Sequence, residues 1–119
     1  MPTRLKPDTS QTSLVACLCA GWCRVCDSYH DVFAQLRENH PGVRFVWVDI
    51  EDDEELVGDL EVETFPTLLV GRGQTLQFIG PVTPQLATAE RLLTALGAGS
   101  ATPGTPAAHA LLARLQQSC

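Results

Sequence analysis

The sequence predicts one α/β domain, a central mixed β-sheet flanked by helices. Three observations carry this. Short apolar or β-branched runs alternate with segments of helical period. A glycine-rich break at Gly71-Arg72-Gly73-Gln74 separates two late runs and reads as a hairpin turn. The chain has 119 residues, enough for one hydrophobic core and too few for two.

The elements follow in order. Residues 1–12 are polar, with two prolines, and read as a loose arm before a domain over 13–97. Residues 14–20 form a short apolar run, a buried strand broken by Gly21-Trp22. From 23 to 39, Val25, Tyr29, Val32, Phe33 and Leu36 recur at helical spacing, and His40-Pro41-Gly42 ends the helix. Residues 43–50 are rich in Val and aromatics, a strand, followed by a short acidic helix over 53–60. Strands at 67–70 and 75–79 flank the hairpin turn. Thr83-Pro84 looks like a hydroxyl cap with Pro at the first helical position, opening a helix that stops at Gly97. The order is β-α-β-α-β-β-α, and helices between the first three strands predict parallel pairing through crossovers. Residues 98–106 are rich in Gly, Ala, Thr and Pro and read as a linker. In 107–119, Ala108, Leu111, Leu112 and Leu115 share one face of a short amphipathic helix that must dock on the core, a second copy or a partner.

Composition narrows the function. The net charge is −6 with eight Lys and Arg scattered along the chain, the wrong balance for nucleic acid. No apolar run reaches the roughly 20 residues that span a bilayer, so no membrane role is expected. Leu14-Val15-Ala16-Cys17 resembles a lipoprotein cleavage box, but the polar 7–13 stretch stands where a signal peptide needs an apolar segment, and the expected location is cytoplasmic. Of five cysteines, Cys17, Cys19, Cys23 and Cys26 crowd together and Cys119 is terminal. Such crowding points to catalysis or metal rather than a disulfide scaffold.

Cys23-Arg24-Val25-Cys26 opens a helix directly after a strand. A sulfur there faces unpaired backbone N–H groups and the positive end of the helix dipole, which favour thiolate. Arg24 adds a cation beside it. Two intervening residues let the second sulfur reach the first across one turn, so the pair can alternate between dithiol and disulfide. In the expected cycle Cys23 attacks a partner's disulfide, and Cys26 then attacks Cys23 and releases the reduced partner. The competing structural reading is a pair of small buried hydrophobes.

Ala20-Gly21-Trp22-Cys23-Arg24-Val25-Cys26 resembles the active-site strand end and helix start of the thioredoxin family. Thr64-Phe65-Pro66-Thr67 is similar to its cis-proline loop, and Ile79-Gly80 to the glycine near its active site. The resemblance covers about residues 14–97. It implies a thioredoxin-like fold, here with a truncated N-terminal element and an extra C-terminal helix. It also implies catalytic Cys23 and Cys26, and a substrate-binding rim of Trp22, Arg24, Thr64, Phe65, Pro66 and Gly80. Pro66 would be cis and packed against the dithiol, with Phe65 offering its backbone to an extended substrate strand. No cofactor is implied beyond a redox-active Cys23–Cys26 disulfide. Protein disulfides are the implied substrates, and a separate reductase of the thioredoxin-reductase type the electron donor.

Two departures matter. Where thioredoxins carry a buried Asp this chain has Cys17, and where they carry a nearby Lys it has Trp47. Losing both avoids a stranded buried charge. The expected consequence is slower resolution of mixed disulfides by Cys26. Cys17 and Cys19 lie two apart on a strand and face one side. Three readings stand: buried apolar side chains, which is the favoured one, a secondary redox pair or relay to Cys26, and a four-thiolate metal site.

Asp49, Glu51, Asp52, Asp53, Glu54 and Glu55 crowd one stretch, either a solvated helix start or a negative rim that steers partners. His30, His40 and His109 share no ligand pattern and are assigned surface roles. Cys119 is either inert or a site of oxidative dimerisation, and the expected state is a monomer or a weak dimer through the C-terminal helix. Against the oxidoreductase stand two alternatives: a non-catalytic binding or assembly module with a peptide groove beside Pro66, and a cysteine cluster holding Zn²⁺ or an iron–sulfur centre.

Overall fold

The computed structural model describes residues 13–21, 23–96 and 101–117. The 1–12 arm, Trp22, the start of the linker and Cys119 lie outside the described residues. In chain order the elements are β1 (Ser13–Cys19), α1 (Arg24–Asn39), β2 (Arg44–Asp49), α2 (Glu54–Val57), β3 (Thr67–Arg72), β4 (Thr75–Pro81), α3 (Leu86–Ala95) and α4 (Pro106–Gln117).

The four strands form one mixed sheet in the order β2-β1-β3-β4. β1 runs parallel to β2, as the α1 crossover requires, and antiparallel to β3, which runs antiparallel to β4. The antiparallel β1–β3 pair corrects the expected parallel one. A parallel return must carry the chain back along the whole sheet, usually on a helix. α2 is a single turn of four residues, closed by Gly58 at φ 63, a conformation glycine adopts without steric cost. The chain therefore never travels back, and β3 starts at the edge where β2 ends.

β1 is central and buried on both faces, and its side chains sort by parity. Leu14, Ala16 and Leu18 join Val48, Leu69, Leu76, Leu111, Leu112 and Leu115 in one layer. Val15, Cys17 and Cys19 join Cys26, Tyr29, Phe33, Leu36, Leu68, Val70 and Ala89 in the other. A bulge after Val70 pairs Phe78 with Val70 but Leu76 with Gly71, leaving Gln77 as the extra residue. The shift sends Leu76 and Phe78 to opposite layers. The β3 and β4 strands run to Arg72 and resume at Thr75, so the hairpin turn is two residues, with Gly73 at φ 60, instead of the four expected.

α4 docks on its own sheet. Leu111 and Leu112 are fully buried, and burial of such a side chain contributes about 1.5–3 kcal/mol. Arg44 Nη1 donates to the Leu115 carbonyl, Arg114 Nη1 to that of Leu56 and Gln116 Nε2 to that of Gly73. The apolar stripe that called for a docking surface is thus covered within the chain. Gly71 lies beneath Leu112 so closely that a Cβ there would collide with the leucine side chain.

Two helix details differ from expectation. The buried stripe of α1 is Cys26, Tyr29, Phe33 and Leu36, whereas Val25 is 41% exposed, because a 3-4-3 spacing anchored on Cys26 turns its neighbour outward. α3 starts at Leu86 with Gln85 as N-cap, and Thr83 Oγ1 pairs with Thr88 Oγ1 instead of capping. Val82 N–H still bonds the Pro66 carbonyl, so the chain needs residues 83–85 to leave the sheet before it can coil.

Candidate functional site

The register places four segments on one sheet edge: Leu18 lies beside both Val48 and Thr67, Cys19 beside Asp49, and Pro81 beside Thr67. The end of β1, the end of β2, the start of β3 and the end of β4 therefore meet. Among the described residues, Cys19, Phe65, Pro66 and Gly80 lie at or beside this edge, and Cys23 and Cys26 follow at the start of α1.

Cys23 is the N-cap of α1. Its N–H donates to the Ala20 carbonyl at 3.0 Å, its own carbonyl accepts from Asp27 at 3.2 Å, and its φ and ψ of −89° and 118° are extended. The side chain makes no capping hydrogen bond, and the thiol is free and half-buried. It stands where the first-turn N–H groups have no helical acceptor. Arg24 and Val25 beside it are exposed.

Cys26, one turn on, is 2% exposed. Its sulfur is bonded to Cys19, with Cα atoms 5.9 Å apart, within the span a disulfide bridges. The expected partner was Cys23. The correction has a geometric basis: Cys26 occupies the helix face turned to the sheet, and Cys19 projects from β1 into that layer, while Cys23 sits at the helix end. Cys19 is thus more than the buried apolar residue favoured from sequence.

Cys17 Sγ lies 3.6 Å from Cys19 Sγ. Burial pushes the Cys17 thiol up to about 12 from an ordinary 9.0, so it stays protonated at neutral pH. Tyr29, read from sequence only as an apolar helix position, belongs to the same cluster, and its buried hydroxyl has no hydrogen-bond partner among the described residues. Burial, with Cys17 adding to it, raises its ionisation far above the tyrosine range. A polar atom orphaned inside helix α1 has no signature in hydrophobic periodicity. Cys17 and Trp47 are register partners, which places them side by side as the two departures required. Trp47 stacks on His30 at 3.7 Å between centroids and meets Phe33 edge-on at 5.7 Å, so aromatic surface fills the space beside the sulfurs.

The Phe65–Pro66 peptide bond is cis and Pro66 is buried. Thr67 Oγ1 donates to the Thr64 carbonyl at 2.6 Å, and Val82 N–H to that of Pro66 at 3.1 Å, tying the loop to β3 and β4. Phe65 packs half-buried against the sulfur-bearing layer. Thr64, Thr67, Ile79, Gly80 and Pro81 border a cleft of about 330 Å³.

The profile of the family described as Thioredoxin matches residues 5–90. The chain belongs to the thioredoxin family. Solved thioredoxins superpose on it: mitochondrial thioredoxin 3 of Saccharomyces cerevisiae at 25% identity and TM-score 0.63, covering 74% of this chain and 83% of that one. Fasciola hepatica thioredoxin follows at 19% and 0.66, covering 75% and 85%. The germline-specific thioredoxin Deadhead of Drosophila melanogaster superposes at 17% and 0.65, again covering 75% and 85%. No curated protein matches the chain. Thioredoxin membership and a cysteine pair at bonding distance support a thiol–disulfide oxidoreductase in general.

The remaining candidates have structural roles. Asp49 Oδ1 accepts the N–H groups of Glu51 and Asp52, and Asp53 Oδ2 accepts that of Asp49, so part of the acidic stretch builds the turn before α2. His40 Nε2 meets Glu90 at 2.7 Å, joining the end of α1 to α3, and His109 Nε2 meets the Pro103 carbonyl. Among the described residues no three His, Cys, Asp or Glu side chains form a metal-binding group, and no helix is long and apolar enough to cross a membrane.

Proposed function

We propose that this thioredoxin-family protein exchanges disulfides with partner proteins, with Cys23 as the attacking sulfur and Cys26 as the resolving one. The observation that carries the reading is the contrast between the two: a free, half-buried thiol at the N-cap of α1 and a fully buried, disulfide-competent sulfur one turn behind it. Only the outer sulfur can meet a partner, and only the inner one is already held in a bonding geometry. Cys23 thiolate attacks one partner sulfur, the other partner sulfur leaves as thiolate, and Cys26 attacks Cys23 and frees the partner as a dithiol.

The cleft bordered by Thr64, Thr67 and Gly80 supplies the surface for the extended partner segment. Electrons come from a separate dithiol reductase, the expected setting is the cytoplasm, and no resident cofactor takes part. Tested on insulin disulfides with dithiothreitol as electron donor, the wild-type chain turns over, and Cys23→Ser falls to background while still folding. Full activity in Cys23→Ser would remove the assignment.

A further inference from the structure

We propose that Cys19 is a third redox sulfur, which takes the disulfide from the outer pair by attacking Cys26 and so returns Cys23 to its free thiol state. The inference rests on the proposed exchange at Cys23 and adds where the oxidising equivalent is kept.

Three observations converge. The bonded pair joins the strand to the helix, Cys19 to Cys26, while Cys23 remains a thiol. Cys26 is common to both possible bonds, since residues three apart on a helix are neighbours and Cys19 approaches from the sheet side. A second thiol lies against the inner pair, Cys17 Sγ at 3.6 Å from Cys19 Sγ, and the Tyr29 hydroxyl, without a hydrogen-bond partner among the described residues, belongs to the same layer. The Cys17 thiol is a donor placed to hydrogen-bond the Cys19 sulfur anion when the Cys19–Cys26 bond opens.

The sequence of steps balances. Cys23 and Cys26 become a disulfide as the partner leaves with two thiols. Cys19, its proton passing to solvent, attacks Cys26 Sγ, the Cys23–Cys26 bond breaks, and Cys23 leaves as thiolate. Altogether the partner's disulfide is reduced to a dithiol, and the thiols of Cys19 and Cys26 are oxidised to a disulfide. Reduction by an external dithiol runs the path backwards: Cys23 attacks Cys26, and the surface disulfide so formed is opened by the donor. Cys17 and Cys19 do not bond each other. Two residues on a strand stand about 6.6 Å apart on the same face, which leaves their Cβ atoms beyond the roughly 3.5–4.5 Å that a disulfide requires. The result separates two tasks, partner capture at the surface and storage of the disulfide in the interior.

The test reacts the reduced full-length chain with one equivalent of glutathione disulfide, quenches with acid, alkylates free thiols and maps the cysteines by fragmentation mass spectrometry. Cleavage after Arg24 leaves Cys17, Cys19 and Cys23 on one peptide and Cys26 on the next, so the label shows which sulfur is bonded to Cys26. The expected wild-type product has Cys19 bonded to Cys26 and the label on Cys23. Cys19→Ser then accumulates the Cys23–Cys26 bond and loses the label at Cys23. A wild-type product with Cys23 bonded to Cys26 and Cys19 labelled overturns the inference and leaves the proposed function standing. A chain whose Cys23 forms no bond to glutathione or Cys26 at any time overturns both. The wild-type reading stands without the variant, so a misfolded Cys19→Ser leaves the test decisive.

Discussion

The two faces of the sheet are built from the same strand residues in alternation, yet they differ in kind. Against α4 the layer is aliphatic throughout, with Leu, Val and Ala from the four strands, α2 and α4. Against α1 and α3 it mixes three sulfurs, a buried phenol and aromatic rings with aliphatic side chains. A hydrocarbon layer contributes burial energy and nothing that reacts. The sulfur layer gives up some of that burial to hold a bond that can open, next to the Cys17 thiol. Stability and chemistry in this fold are divided by the parity of residues in β1.

The division can be broken from either side. The largest expected effect is alkaline. Because Cys17 titrates near 12 when folded and near 9.0 when unfolded, it contributes nothing to pH dependence below pH 9, and stability falls as pH rises toward 12. The loss is about 1.4 kcal/mol per pH unit, on the order of 4 kcal/mol in all. Tyr29 adds to it above pH 10, its folded ionisation being raised as well. Urea unfolding of the oxidised protein at pH 8, 9 and 10 measures the slope, and Cys17→Ala flattens it between pH 9 and 10.

On the other face, Leu111→Ala removes a fully buried side chain and costs about 2–5 kcal/mol, with the disulfide-exchange rate per folded molecule unchanged. Denaturation and insulin turnover on the same sample check both halves. Gly71→Ala forces a methyl group against Leu112 and costs about 1–3 kcal/mol by the same measurement. The smallest effect lies outside both layers. Glu90 is held below the usual carboxylate range by hydrogen bonds from Asn39 and His40, so its contribution is present at neutral pH and lost as pH falls. The pair is part exposed, and Glu90→Gln costs less than about 1 kcal/mol.

Much of this was legible in the chain. Local signals carried the four strands, α1, α3 and the amphipathic tail helix, because periodicity and turn residues act within a few positions. The direction of β3 was not legible, since it depends on how far α2 carries the chain, and Gly58 ends that helix after one turn. The site was legible as a place: Cys23, Cys26 and Pro66 come to one edge. The pairing inside it was not. Spacing favours Cys23 with Cys26, whereas the strand-to-helix contact that joins Cys19 to Cys26 is tertiary and leaves no periodic trace. Tyr29 shows the same limit, for its ring obeys the apolar stripe while its hydroxyl does not.

The most direct test of the account is to incubate Cys26→Ser with insulin and identify what stays covalently attached. An insulin chain disulfide-bonded to Cys23 is the predicted result. Failure to form any adduct, or attachment at Cys119 with Cys23 unmodified, would contradict it.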